Sequence, residues 1–176
     1  MSVLVLLAHP NLATSRVNRV WTDSVREAGH AVRDLYALYP NGQIDHPAEQ
    51  AACEASSIIV FQHPMNWYAG PWLLKKWIDE VLEYDWAYGR RYALQGKVLA
   101  QAVSIGAGEP EYRPEGSRRY PAEEFFKPYE RTAVFCKMSY ELFYRYGAGY
   151  EPDDVIARWA AEYVEWLKQL SSVARG

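Results

Sequence analysis

Three short runs constrain the fold more than anything else in the chain: VLVLLA at 3–8, SIIVFQ at 57–62 and KVLAQAVS at 97–104. A strand with one face in water alternates polar and apolar residues, and these runs scarcely alternate. Near-continuous apolar strands belong to parallel sheets covered on both faces.

The intervening segments carry a helical period. Within SRVNRVWTDSVREA, 15–28, the residues Val17, Val20, Trp21 and Val25 share one face. Thr14 or Ser15 can cap that helix, and Gly29 lies just past its end. PAEQAACEA, 47–55, reads as a short helix with Pro47 in its first turn. PWLLKKWIDEVL, 71–82, places Leu74, Trp77, Ile78 and Val81 on one face, with Pro71 at the first helical position. Its acids, Asp79, Glu80 and Glu83, fall on the polar side and receive no acid–base role. A further helix is expected over about 122–136, and an amphipathic one over 152–170. HAVRDLYAL, 30–38, and SYELFYRY, 139–146, supply the second and fifth strands.

The resulting order, βαβαβαβαβα, predicts an α/β fold: five parallel strands, right-handed crossovers and helices on both faces. Five strands is the flavodoxin-like number. A length of 176 residues fits one domain over 1–176, and the sequence holds no repeat or linker.

Charge and cysteine usage then narrow the function. A net charge of -3 argues against nucleic acid. Cys53 and Cys136 form no CxxC pair, and no His/Cys cluster has ligand spacing, so no metal site is expected. MSVLVLLAHP lacks a basic start and is cut short by His-Pro, unlike a secretory signal. No apolar run is long enough to span a bilayer. The expected location is cytoplasmic, or at most peripheral to the inner membrane through a partner.

Open α/β sheets bind ligands beyond the carboxyl ends of their strands. Three segments fall there. The first, HPNLATSRVN, runs into a helix N-terminus, whose free amides favour an anion. Thr14, Ser15 and Asn18 add polar groups, and Arg16 could add charge. Neither GxxxxGK[ST] nor GxGxxG is present, so a compact monophosphate such as that of FMN fits better than a triphosphate or a dinucleotide. Plain helix capping is the alternative.

The second segment, HPMNWYAG, is stiffened by Pro64, Trp67, Tyr68 and the following Pro71, and offers flat faces to a planar ring. Met65 and Asn66 offer backbone amides to its polar edge. The alternative use of the aromatics is core or subunit interface. The third, SIGAGEPEY, has glycines that allow close backbone approach, amides able to face developing negative charge, and the phenol of Tyr112. A plain surface loop is the alternative. His9 and His63 each precede a proline and read as turn histidines. Together the three loops point to a flat phosphorylated cofactor.

AHPNLATSRVN, LYALYPNGQID, IIVFQHPMNWYAGPWLLKKWIDEVL and DWAYG resemble the flavodoxin-like NAD(P)H:quinone oxidoreductases, especially the ancillary subunits of glutathione-gated potassium efflux systems. The likeness runs from about residue 3 to 170. It implies a homodimer with FMN at the subunit interface, reduced by NADH or NADPH, with hydride passed in a ping-pong cycle to a quinone or related electrophile. His9, Ser15, Arg16, Val17 and Asn18 match the phosphate-side segment. Pro64, Met65, Asn66, Trp67 and Tyr68 fall in the loop along the isoalloxazine ring. Ser104, Ile105, Gly106 and Ala107 match a Thr-Thr-Gly-Gly segment near the pyrimidine edge, with one hydroxyl and one glycine missing. Tyr112 matches a catalytic-site tyrosine. Six residues later, where some members carry histidine, stands Arg118, which with Arg119 could hold cofactor phosphate or screen the reduced flavin's charge. The rival expectation is a regulatory subunit bound to a membrane potassium antiporter.

Overall fold

The structure, a computed structural model, describes residues 2–173. Met1 and residues 174–176, the two ends of the expected 1–176 domain, lie outside the described residues. Five parallel strands stand in the order β2-β1-β3-β4-β5: β1 Val3–Leu7, β2 Ala31–Asp34, β3 Ile58–Pro64, β4 Val98–Ser104 and β5 Ser139–Arg145. The three continuous apolar runs are the three central strands. The fold is the flavodoxin-like one.

Because side chains alternate along a strand, each central run feeds two cores. Val3, Val5, Ile58, Val60, Ala100 and Ala102 face the helices α1 (Val17–Glu27) and α6 (Asp153–Val173). There Trp21 is fully buried, 5.4 Å from both Phe143 and Tyr163. Leu4, Leu6, Ile59, Phe61 and Leu99 face α2 (Leu35–Leu38), α3 (His46–Glu54), α4 (Trp72–Val81) and α5 (Lys127–Phe135). On this side the buried Glu49 accepts from Arg33 Nε at 2.8 Å, from Tyr39 Oη at 2.5 Å and from Trp77 Nε1 at 2.9 Å. It ties α3 to the edge strand and to α4. Asp79 and Glu80 pair with Lys75 and Lys76 one turn earlier, as a polar helix face requires.

Two expected elements differ. Only Ala31–Asp34 of the segment 30–38 is strand. The Asp34 carboxylate accepts from the Tyr36 and Ala37 amides at 3.1 and 3.2 Å and caps a single helical turn, α2. The helix expected over 122–136 is two pieces, a 3-10 turn Ala122–Phe125 and α5. Pro128 has no amide to offer the carbonyl of Glu124, so one helix cannot run through both.

The chain leaves β1 for β2 on one side and returns to β3 on the other. The carboxyl ends of β1 and β3 therefore flank a switch point, where a ligand crevice forms in such sheets.

Candidate ligand-binding site

The connection after β1 makes a 3-10 turn, Leu12–Thr14, and enters α1. Ser15 has extended backbone, and its Oγ accepts from the Asn18 amide at 3.0 Å. Ser15 therefore caps the helix, whereas the Thr14 hydroxyl donates to the Asn11 carbonyl. Among the described residues the Arg16 and Val17 amides have no partner. His9 accepts from the Asn11 amide through Nδ1 at 3.1 Å, and burial lowers its pKa; it holds the turn as a neutral ring.

His9, Ser15, Arg16, Val17 and Asn18 line one groove of about 360 Å³ with Pro64, Met65, Asn66, Ser104 and Gly106. Asn18 is 1 % exposed. Its Nδ2 donates to Ser104 Oγ at 2.8 Å, while its Oδ1 has no partner. Arg16 corrects an expectation. Its Nη2 donates to the Glu151 carbonyl and to Asp153, both at 2.7 Å, so its charge is already committed.

The connection after β3 is a tight turn. Asn66 N–H donates to Ala69 O at 2.8 Å and Ala69 N–H returns to Asn66 O at 3.0 Å. The two residues between, Trp67 and Tyr68, have φ of 48° and 64°. Positive φ at both central positions is the geometry that Asn-Gly usually fills, and it costs a bulky L-residue about 1–2 kcal/mol. Trp67 is 94 % exposed, and Tyr68 stacks on Phe125 at 4.9 Å. The expected donors change here. The Met65 amide is spent on Ser104 O at 2.8 Å and the Asn66 amide on Ala69 O. In this turn the amides of Trp67 and Tyr68 have no partner among the described residues.

His63 is more than a turn histidine. It is fully buried, stacked on Tyr129 at 5.9 Å, and its Nε2 lies 3.0 Å from Gln101 Nε2. Gln101 must donate there, which leaves Nδ1–H for the Pro64 carbonyl at 2.9 Å. The Tyr140 hydroxyl completes the chain on Gln101 Oε1. Burial brings the His63 pKa down to about 4.

After β4, Ser104 faces α1 and Ile105 faces the opposite way. Ile105 is 1 % exposed, packs with Tyr112 and Phe126, and gives its amide to Arg145 O at 2.9 Å. It therefore contributes no group to the groove, contrary to expectation. The Gly106 and Ala107 amides have no partner among the described residues. A Cβ at Gly106 would meet nothing within 4 Å, because it would stand in the groove.

Met65 and Gly106 also belong to a second hollow of about 280 Å³, lined further by Trp67, Tyr68, Ala107, Tyr112 and Arg118. The Tyr112 hydroxyl donates to Met65 Sδ at 3.4 Å, and burial raises its pKa. Arg118 lies over the rings of Tyr112 and Tyr68, 5.5 and 5.8 Å from their centroids. Its Nη1 donates to Tyr68 Oη at 3.0 Å and its Nε to Glu111 Oε2 at 3.2 Å. The site thus has two joined ends, one at a helix N-terminus and one walled by aromatics.

The pattern of the flavodoxin-like fold family matches residues 1–170. The chain belongs to this family. One relative, the glutathione-regulated potassium-efflux system ancillary protein KefG of Yersinia enterocolitica, is 40 % identical over 169 residues, which cover 94 % of this chain and 92 % of the relative. The crystal structure of general stress protein 14 from Treponema denticola, in complex with FMN, is 40 % identical with a TM-score of 0.91 and covers 97 % of this chain and 99 % of that one. An NADPH-quinone reductase from P. pentosaceus superposes with a TM-score of 0.84 at 25 % identity, covering 94 % and 97 % of the two chains.

The flavodoxin-like sheet gathers the expected site residues along these two hollows, except Ile105 and the exposed Arg119, which lines neither. It adds some that carry no sequence signal. Ala148 and Gly149, after β5, line the helix end. Phe125 backs Tyr68, and its distance in sequence hides that.

Proposed function

We propose that the protein is an FMN-dependent NAD(P)H:quinone oxidoreductase. The observation that carries this reading is the pair of joined hollows, an anion end and an aromatic end meeting at Met65 and Gly106. The residues present fit the cofactor. The unpartnered Arg16 and Val17 amides at the start of α1 suit a phosphate. The orphaned Asn18 Oδ1 suits a hydroxyl of the ribityl chain. The space left by Gly106 admits a flat ring, and the free amides at 67–68 and 106–107 can donate to its polar edge.

When bound, FMN supplies two-electron hydride transfer from a reduced nicotinamide to a quinone in two half-reactions. The chain's own groups bind, orient and balance charge. Ser15 and Asn18 hold the helix start that receives the phosphate. Ser104 orients Asn18. Trp67 and Tyr68 wall the ring end and narrow it against water. Tyr112 keeps its proton at neutral pH, since burial raises its pKa, and sulfur is a weak acceptor that releases the hydroxyl readily. That hydroxyl can donate to negative charge developing at the ring end. Arg118 holds a permanent positive charge beside it.

The reading extends to a single cytoplasmic domain that pairs as a homodimer. The exposed Trp67 beside the ring end supports the dimer, because a large bare aromatic there gains from burial. Among the described residues no helix is long and apolar enough to cross a membrane. Similarity to KefG favours a second role as an ancillary subunit on a potassium antiporter, tested by copurification with one.

The deciding experiment is an anaerobic NADPH titration of FMN-reconstituted protein, followed at the visible flavin band. Stoichiometric bleaching, with colour restored by a quinone, is expected. Bound FMN that neither nicotinamide bleaches shifts the weight to the ancillary role. Failure to bind FMN sinks the assignment.

A further inference from the structure

We infer that the aromatic end of the site selects electron acceptors bearing an anionic substituent on an aromatic ring, a carboxylate, sulfonate or phenolate, and that Arg118 sets this preference. The inference rests on the reductase reading and names its acceptor class.

Among the residues lining the aromatic hollow, Arg118 is the one cation, and no carboxylate lines it. Its partner Glu111 stands outside the hollow and is shared three ways. Oε1 accepts from the Gly108 amide at 3.2 Å, and Oε2 accepts from the Ser117 hydroxyl at 3.1 Å and from Arg118 Nε at 3.2 Å. Glu111 thus anchors one edge of the guanidinium and leaves the other directed away from it. On that other edge, Nη1 meets only the neutral Tyr68 hydroxyl, and among the described residues Nη2 has no partner. The side chain is 32 % exposed, enough to receive a ligand and too little for its charge to be fully screened.

The position is held rather than swinging. Tyr68 and Tyr112 lie under the guanidinium, so the charge bridges the loops after β3 and β4. An aromatic acceptor lying against Trp67 and Tyr68 brings a ring substituent to that edge. Guanidinium recognises planar oxyanions through two parallel N–H donors, which a neutral carbonyl does not exploit. Arg16, the other arginine of the site, is committed to Asp153 at the helix end and does not compete.

The test uses the FMN-loaded protein and two rings that no hydride reduces, naphthalene-2-sulfonate and naphthalene-2-carboxamide. Calorimetric titration should show the sulfonate binding about tenfold tighter, about 1.4 kcal/mol. Arg118→Lys should keep the direction of the preference. Arg118→Gln should abolish it with the melting temperature held, and the preference should weaken in high salt. In turnover, the ratio of kcat/KM for 1,2-naphthoquinone-4-sulfonate to that for 1,2-naphthoquinone should fall about tenfold in Arg118→Gln, mainly through KM. Equal binding of the two probes by the unaltered protein, no binding of either, or a preference that survives Arg118→Gln would overturn the proposal. A change confined to the ratio of NADPH to NADH would assign Arg118 to the nucleotide instead and overturn it as well. If NADPH fails to bleach the flavin, the reductase reading falls by itself, and the two calorimetric probes still decide for or against Arg118.

Discussion

The Asn18 side-chain amide donates to the Ser104 hydroxyl at 2.8 Å, joining two residues 86 positions apart in the sequence. Both are buried, and between them they connect the first turn of α1 to the end of β4. Ser104→Ala leaves a buried amide without an acceptor. Stability should fall by about 1–3 kcal/mol, read from urea midpoints, and FMN should bind more weakly. Ser104→Thr keeps the hydroxyl and should retain most of both.

Two phenols line the aromatic end, and Tyr112→Phe removes the one that Arg118 does not hydrogen-bond. Turnover should fall by up to about a hundredfold, the scale of losing a hydrogen bond to developing charge. FMN affinity should change little, because the contact now lost in the free protein is a weak one to sulfur. Equal kcat with loosened FMN would contradict the assignment.

Trp67→Asn separates strain from function. Asparagine tolerates φ near 48°, and Trp67 has almost no packing to lose. The variant should gain about 1 kcal/mol in chemical denaturation of dilute protein and bind FMN less tightly. Opposite signs in the two measurements are the signature of an aromatic held in a costly conformation for a ligand.

His63 gives the protein a pH signature. Its pKa is lowered from 6.5 to about 4 in the folded chain by burial. Between those values the unfolded chain holds more protons, so stability declines as pH falls from 6.5 toward 4 and is unaffected above 6.5. The full effect is about 3 kcal/mol. His63→Gln should remove that decline. The difference between wild type and variant, measured by denaturation at several pH values, cancels the contributions of the acidic groups.

The central sheet was legible because its strands are buried on both faces, and the helices because Val17, Trp21 and Val25 repeat at helical spacing. Gly29 sits just past α1 with φ of 81°, as its position in the sequence suggests. Asp34 misled because HAVRD and LYAL have strand-like residues, while the cap that turns them into a helix depends on one carboxylate finding two amides. Ile105 was assigned to the site with its neighbours although a strand's period of two sets it opposite Ser104. The commitment of Arg16 to Asp153 spans 137 positions and leaves no local trace. Ala148 and Gly149 line the groove, and such small residues carry no signal in the sequence.

Beyond β4 and β5 the ladder continues through irregular chain: Ile105 N–H to Arg145 O, Gly147 N–H to Ala107 O and Ala148 N–H to Ile105 O, all at 2.9 Å. The walls of the groove are thereby woven before any ligand arrives. Freezing a loop residue costs about 1–2 kcal/mol of conformational entropy, and here folding has already met that cost. Occupancy should therefore be governed by contact quality and escape rate rather than by loop ordering, and a molecule can leave without the walls coming apart.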